Sequence, residues 1–164
     1  MFDFAPPADC SPEERYNALF EAASAITEGE EDGIANMANV AALLGEFIPD
    51  CNWAGFYRVT GEASAQELVL GPFVGKPACI RIPFGVGVCG AAAKSGATQL
   101  VTDVHAFPGH IACDAASRSE VVVPIKRSGA VVAVIDLDSP TQGRFTQHDA
   151  QGLEKLAQML SERI

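Results

Sequence analysis

The chain has 164 residues, of which 48% are hydrophobic and 20% charged, and its formal net charge is −10. This length and composition are typical of one globular domain that buries a core without disulfides or a structural metal. The acidic excess would repel nucleic acid and anionic membranes, so neither is an expected partner. There is no signal-peptide pattern and no apolar run of about 18 residues. We therefore expect a cytoplasmic protein whose five cysteines are reduced unless they are catalytic or bind metal.

Two helices are predicted near the start of the chain. The segment SPEE at residues 11–14 combines a capping serine, an early proline and acidic residues, so the first helix should begin there and end near Ile26. Apolar residues at three- and four-residue spacing predict a second helix over Ile34–Phe47, which Pro49 ends. Residues 1–10 are expected to form a flexible extension.

The remainder of the chain predicts a sheet that contains a short helix and is followed by a longer one. The predicted strands are Trp53–Val59, Glu67–Phe73, Cys79–Ile82, Thr98–Val101, Glu120–Lys126 and Ala130–Asp136. The turn Arg127-Ser128-Gly129 should join the last two strands into a hairpin. The helices are predicted over Gly87–Lys94 and Asp149–Arg163. Residues 103–119 have no clear period, and a loop of that length in a compact domain is usually functional.

This order of elements predicts an α+β fold with one domain over residues 1–164. An antiparallel sheet would be covered on one face by the N- and C-terminal helices. The irregular segment that carries cysteine and histidine would lie over the other face.

Three cysteines in the second half of the chain are candidate reactive thiols. Cys89 lies where the short helix should begin, and the helix dipole there would stabilise a thiolate. Cys113 lies in the long loop, three residues after His110, where a thiol is accessible. Cys79 lies in a partly apolar stretch. A reduced cysteine is also a common small core residue, so these patterns leave the choice among the three open.

The same part of the chain could instead supply zinc ligands. His105, His110 and the three cysteines are the candidate ligands for such a site. However, there is no C-x2-C pair, and the His-x4-His-x2-Cys spacing is not that of a standard zinc finger or ribbon. No metal site is therefore predicted.

Two carboxylates and two aromatic side chains could form a binding site. Asp136 and Asp138 are two residues apart at the end of an apolar strand, so they point to the same face and would attract a cation such as an amino group. The Asp-Ser-Pro sequence is also an ordinary turn signal. Trp53 and Tyr57 are four residues apart and share a face of their strand, where they could line a cup for a methyl group or pack the core.

Four segments in this order resemble the free methionine-R-sulfoxide reductases, a family built on a GAF-type domain. They are NWAGFY at 52–57, ELVLGPFVGKPACIRIPFGVGVCG at 67–90, QLVTDVHAFPGHIACDAASRSE at 99–120 and VAVIDLDSP at 132–140. Together they cover the chain from Asn52 to about Pro140. Several long motifs in the right order are far more specific than any single motif.

The resemblance implies reduction of the R-sulfoxide of free methionine without a metal or an organic cofactor. It implies that Cys113 is the catalytic cysteine, that Cys79 resolves it, and that Cys89 takes part in a further disulfide exchange. A thioredoxin-type dithiol would then reduce the disulfide. The substrate-site residues that it implies are Glu120, Asp136, Asp138, Trp53 and Tyr57. The hypothesis of a homodimer rests on no motif.

GAF-type domains also act as sensors that bind small molecules without chemistry. The alternative function is therefore a binding module for an amino acid or a nucleotide, with cysteines that are merely sensitive to oxidation. Formation of methionine from its sulfoxide would separate the two functions.

Overall fold

The structure, a computed structural model, describes residues 4–62, 65–109 and 115–164. The α-helices in these ranges are α1 (Pro12–Ile26), α2 (Gly33–Phe47), α3 (Gly87–Ser95) and α4 (Gln147–Leu160). The strands are β1 (Trp53–Thr60), β2 (Glu67–Gly75), β3 (Arg81–Pro83), β4 (Gln99–Val101), β5 (Ser119–Arg127) and β6 (Ala130–Ser139). None of the helices in the described ranges has the length and apolar character that crossing a bilayer requires.

The strands form an antiparallel sheet in the order β3-β2-β1-β6-β5-β4. Helices α1, α2 and α4 pack on one face, and the short helix α3 packs on the other. The predicted α+β fold, with the terminal helices on one face of an antiparallel sheet, is confirmed.

Two apolar cores lie on opposite faces of the sheet. The first core lies against α1, α2 and α4 and includes Leu44, Phe56, Ile135 and Leu153 among its buried side chains. The second core lies against α3 and includes Trp53, Tyr57, Ile82, Cys89 and Val134. The central strands β1 and β6 therefore contribute side chains to both cores by the period-two alternation of a strand.

The helix starts follow from local hydrogen bonds. At α1, the Glu14 N–H donates to the Ser11 hydroxyl over 3.2 Å, and the Ser11 N–H donates to the Glu14 carboxylate over 2.8 Å. This reciprocal pair is a capping box. At α2, the Asp32 carboxylate accepts from two backbone N–H groups, so the helix begins one residue before the predicted start. The predicted extension at 1–10 lies partly outside the described residues, and Phe4 within it packs against the first core.

The β5–β6 hairpin turns at two residues with positive φ, Ser128 at 51° and Gly129 at 83°. This conformation is that of the two-residue turns that match the twist of a hairpin. The resulting register sets Glu120 opposite Asp138 and Val122 opposite Asp136. The turn and a register shift between Ile125 and Lys126 together fix which residues of the two strands are neighbours.

The start of the third strand and the end of the last helix differ from the prediction. The third strand covers Arg81–Pro83, so Cys79 lies in the irregular connection before it. Helix α4 ends at Leu160 because tertiary hydrogen bonds hold the residues after it: Arg127 donates to the carbonyl of Ser161, and Asn36 donates to the carbonyl of Arg163.

Asp149 joins the start of α4 to two other parts of the first core. Its carboxylate accepts from the backbone N–H of Thr146 over 2.7 Å, from the Tyr16 hydroxyl over 3.0 Å and from Arg144 over 3.3 Å. Burial alone would raise the pKa of Asp149, but the bonds from Thr146 and Tyr16 and the charge of Arg144 outweigh burial and lower it.

We predict that Asp149→Asn lowers the free energy of unfolding by about 2 kcal/mol near neutral pH, because it weakens several bonds to a buried carboxylate. The pKa of Asp149 is lowered in the folded state, so its stabilisation is present above the unfolded-state pKa and is lost as pH falls through the folded value. Urea unfolding at several pH values measures both effects. The exposed Glu21→Gln variant on α1 is the control, and equal stability of the two variants would contradict the assignment.

Candidate active site

A cavity opens on the face of the sheet that carries the second core. Its empty volume is about 530 Å³, including the part open to solvent. Strands β5 and β6 form its floor, and α3, the connection between β2 and β3 and side chains of β1 form its walls. Six residues predicted from the sequence line it: Trp53, Tyr57, Cys89, Glu120, Asp136 and Asp138.

The sheet register brings the carboxyl groups together. Asp138 on β6 pairs with Trp53 on β1 and with Glu120 on β5, so these three residues form one row across the sheet. Asp136 lies two residues before Asp138 on the same face. The prediction that Asp136 and Asp138 share a face is confirmed, and Leu137 between them belongs to the first core.

The two predicted aromatic residues form one wall of the cavity. The rings of Trp53 and Tyr57 stack with centroids 5.8 Å apart, and Phe73 stacks on Trp53 at 5.3 Å. Their polar atoms point to the β2–β3 connection: Trp53 Nε1 donates to the Lys76 carbonyl over 3.1 Å, and the Tyr57 hydroxyl donates to the Cys79 carbonyl over 3.0 Å. Stacking and hydrogen bonding together fix the orientation of this wall.

A buried acidic cluster, which consists of Cys89, Glu120 and Asp136, lies at the base of the cavity. Cys89 Sγ lies 3.9 Å from Glu120 Oε1, and each residue of the cluster is less than a tenth exposed. Burial raises the pKa of Asp136 to about 7, although hydrogen bonds from Cys89 and Glu120 oppose that rise. Burial and the neighbouring charge of Asp136 raise the pKa of Glu120 well above its ordinary value. Both carboxyl groups therefore hold their protons to a higher pH than they would in water.

The environment of Cys89 differs from the one that its place in the sequence predicts. It is the third residue of α3, so its position at a helix N-terminus is confirmed. The expectation of a stabilised thiolate was wrong, because burial, Asp136 and Glu120 raise the pKa of the thiol well above its ordinary value. A helix dipole contributes about 0.3–1 kcal/mol near the surface, which corresponds to less than about one pKa unit. Full burial shifts a pKa by up to roughly 3–5 units. Desolvation thus outweighs the dipole.

The buried acidic cluster is also the group of described residues whose arrangement could hold a metal ion. Its sulfur and carboxylate oxygens lie within 4.8 Å of one another. This group differs from the zinc ligand set considered above. His105 is exposed in a single 3-10 turn and is not part of the group, and His110 and Cys113 lie outside the described residues.

Comparison with known proteins identifies the fold and the relatives of the chain. The sequence model of the GAF domain matches residues 32–164.

The chain belongs to the GAF-domain family.

This GAF domain is 51% identical to Protein YtsP of Bacillus subtilis (strain 168) over 93% of this chain and 92% of that protein. It is 48% identical to the free methionine-R-sulfoxide reductase of Escherichia coli (strain K12) over 91% of this chain and 88% of that protein. The crystal structure of the free methionine-R-sulfoxide reductase of Neisseria meningitidis in complex with its substrate superimposes with a TM-score of 0.92 at 41% identity, covering 99% of this chain and 95% of that chain. The GAF fold and the resemblance to these reductases are confirmed.

The cysteines of this GAF domain lie in distinct environments. Cys79 is half-buried and disulfide-bonded, whereas Cys10, Cys51 and Cys89 are free thiols. Burial raises the pKa of Cys51 to about 12, and its side chain packs against the first core. Cys113, the predicted catalytic cysteine, lies outside the described residues, and its role stays a prediction.

Two residues with polar side chains that were not predicted from the sequence also line the cavity. Lys76 is the cation among the described lining residues, and it immediately precedes the Pro-Ala-Cys sequence that ends at Cys79. Ser117 is buried and accepts a hydrogen bond from the Asn52 side chain over 3.1 Å, which ties the segment before β5 to the start of β1. In the sequence, Lys76 begins the KPACIRIP motif, which was noted only for Cys79.

The pKa of Asp136 predicts how stability depends on pH. Its value rises from an ordinary 3.8 to about 7 in the folded protein, so its stabilising effect is complete below the unfolded-state pKa and is lost as pH rises toward 7. The loss corresponds to at most about 4 kcal/mol. Asp136→Asn should therefore flatten the decline of unfolding free energy between about pH 4 and 7, measured by urea unfolding. Exposed Asp50→Asn should keep the wild-type slope, and a wild-type slope in Asp136→Asn would refute the assignment.

Proposed function

We propose that this GAF domain reduces free methionine-(R)-sulfoxide to methionine with a pair of cysteines. The observation that carries the proposal is the convergence of three carboxyl groups, an aromatic wall and a buried thiol on a cavity beside the disulfide-bonded Cys79. Relatives named as free methionine-R-sulfoxide reductases support it, because they match about nine-tenths of this chain.

The carboxylates are suited to the substrate's ammonium group. Oδ1 of Asp136 is buried and has no hydrogen-bond partner among the described residues. A buried acceptor is usually satisfied, and an ammonium group brings three donors and a compensating charge. In the proposed complex, Asp136 and Asp138 bind the ammonium group, and the methyl group rests against Trp53 and Tyr57.

Glu120 is suited to protonate the sulfoxide. Sulfoxide oxygen is a poor leaving group until it is protonated, so the reaction needs an acid that keeps its proton near neutral pH. Burial raises the pKa of Glu120, and Asp136 and Asp138 raise it further, which keeps this carboxyl group neutral. A neutral carboxyl group can first donate a hydrogen bond to the oxygen and then transfer the proton.

Two cysteines supply the two electrons. In the first step, the Cys113 thiolate attacks the substrate's sulfur, the oxygen passes to the enzyme, and methionine leaves a sulfenic acid on Cys113. The Cys79 thiol then attacks that sulfur, the S–O bond breaks, and the disulfide forms with release of one water molecule. A thioredoxin-type dithiol reduces the disulfide and is itself oxidised. The disulfide at Cys79, beside free thiols at Cys10, Cys51 and Cys89, supports Cys79 as the resolving residue.

Cys89 is proposed to act after these steps, in a further thiol–disulfide exchange. Its burial and raised pKa disfavour the first attack, for which a thiolate is needed. The cycle also requires a compartment in which a dithiol stays reduced, so we assign the protein to the cytoplasm. The homodimer stays a hypothesis that light scattering of the purified chain would test.

A direct assay separates this enzyme from a sensor of the same fold. Reduced protein is incubated with the R- and S-sulfoxides of free methionine and a dithiol, and methionine is quantified. The proposal requires methionine from the R-sulfoxide. A thermal shift on binding without any methionine would instead identify a non-catalytic binding module.

We expect the Cys113→Ser variant to release no methionine. With thioredoxin as the reductant, the Cys79→Ser variant should release about one methionine per chain and then stop, because the sulfenic acid on Cys113 is not resolved. Mass spectrometry after one turnover without reductant should identify a link between Cys79 and Cys113 in the wild type. Cys51→Ser is the matched control, because it removes another half-buried thiol, and it should cycle normally. Continued thioredoxin-driven cycling by Cys79→Ser would refute its assigned role.

Glu120→Gln should slow methionine release in a single turnover by roughly 10²- to 10⁴-fold, the usual contribution of a positioned acid. The wild-type rate of that step should fall as pH rises through the raised pKa of Glu120, and the variant should lose this dependence. Rapid-quench measurement of methionine between pH 6 and 10 tests both points, with exposed Glu46→Gln on α2 as the control. An unchanged rate in Glu120→Gln would rule out the role of proton donor.

A further inference from the structure

The connection between β2 and β3, residues 76–80, carries Cys79 and has no regular secondary structure. Three of its carbonyl groups nevertheless have defined donors. Trp53 Nε1 donates to the Lys76 carbonyl, the Tyr57 hydroxyl donates to the Cys79 carbonyl, and the Leu70 backbone N–H donates to the Ile80 carbonyl over 2.9 Å. Backbone carbonyls on both sides of the cysteine, and that of the cysteine itself, are thus tied to β1 and β2.

Two of these three donors are side chains of the aromatic wall. Tyr57 is 1% exposed. Its hydroxyl could therefore bond to bulk water in place of the Cys79 carbonyl only if the ring also became exposed. Burial, and then the charge of Asp136, raise the pKa of Tyr57, so the hydroxyl keeps its proton and remains a donor. The wall that is proposed to contact the substrate therefore also holds the peptide that carries the resolving cysteine.

We infer that Tyr57 is a positioning residue for the resolving step, because its hydroxyl holds the Cys79 peptide where the thiol can reach the oxidised cysteine. This inference rests on the proposed function and adds a second role to a residue of the aromatic wall. In the step concerned, the Cys79 sulfur forms the S–S bond, the S–O bond of the sulfenic acid breaks, and the departing hydroxide takes up the thiol proton to form water. No other reactant is required.

The two roles of Tyr57 can be separated because they belong to different atoms. The ring contacts the cavity, and the hydroxyl contacts Cys79. Tyr57→Phe keeps the ring and removes only the hydroxyl. A lost hydrogen bond to a fixed backbone group costs about 1–2 kcal/mol, which corresponds to a roughly 5- to 30-fold slower disulfide formation if the bond serves positioning. Disulfide formation should be slowed by this factor relative to methionine release in the same variant, since hydrogen bonding at Cys79 does not enter the release step.

A single-turnover experiment measures the two steps separately. Reduced protein is mixed with methionine-R-sulfoxide without reductant, and samples quenched over time are analysed for methionine and for the thiols lost to the disulfide. Tyr16→Phe is the matched control, because Tyr16 is the other tyrosine of the chain and its buried hydroxyl binds Asp149 away from the cavity. The expected result is a lag between methionine and disulfide in Tyr57→Phe alone.

A small monothiol that reduces the sulfenic acid directly provides a second measurement. It bypasses the Cys79 step, so the ratio of Tyr57→Phe to wild-type turnover with the monothiol should equal the ratio of their methionine-release rates, whereas with thioredoxin the ratio should be lower. Equal disulfide rates in Tyr57→Phe and wild type would overturn the inference and leave the proposed function intact. Equal slowing of both steps would also overturn it, since the hydroxyl would then act on the substrate. Thioredoxin-driven cycling by Cys79→Ser would instead overturn the proposed function itself.

Discussion

The alternation of side chains along β6 is the constraint on which the site depends. Ile135 and Leu137 are buried in the first core against the helices, so Asp136 and Asp138 must project from the opposite face. A slip of one residue would turn both carboxylates into the first core and both apolar side chains toward the cavity. The free energy gained by packing the helices on the sheet therefore also holds the carboxyl groups in the site. Fold and site are specified by the same residues.

That placement opposes the ordinary behaviour of carboxyl groups. Moving an ionised carboxylate out of water costs several kcal/mol even in a relaxed protein, and Glu120, Asp136 and Cys89 lie together with little exposure. The cluster meets this cost by retaining protons, because burial raises the pKa of Glu120 well above its ordinary value and that of Asp136 to about 7. The burial that makes these groups unfavourable for folding also raises their proton affinity. The proposed reduction of a sulfoxide uses that proton affinity. A substrate ammonium group would then relieve the charge that remains on Asp136.

Local spacing was enough to predict some of this site. The two-residue spacing of Asp136 and Asp138 and the four-residue spacing of Trp53 and Tyr57 each specify one face of a strand, and both predictions hold. The proton affinity of Cys89 could not be predicted in this way, because Glu120 lies 31 residues further along the chain and approaches only through the sheet register. The hydrogen bond from the Tyr57 hydroxyl to the Cys79 carbonyl could not be predicted from spacing either, because the two residues are 22 positions apart and lie on different elements. Spacing along one element predicts a face, whereas contacts between elements depend on register and on connections that have no period.

The two described cysteines of the cavity region differ in how the fold holds them, and this difference supports their proposed order of action. Cys89 is fixed by its helix and lies in the buried acidic cluster, where deprotonation is unfavourable. Cys79 lies in an irregular connection that is anchored by its backbone carbonyls. A disulfide exchanges partners at sulfur, so anchoring the peptide at its carbonyl oxygens lets the sulfur change partner while the surrounding hydrogen bonds stay intact. A cysteine that must be oxidised and reduced in every cycle is better served by the second arrangement, because the rest of the site then need not rearrange each time.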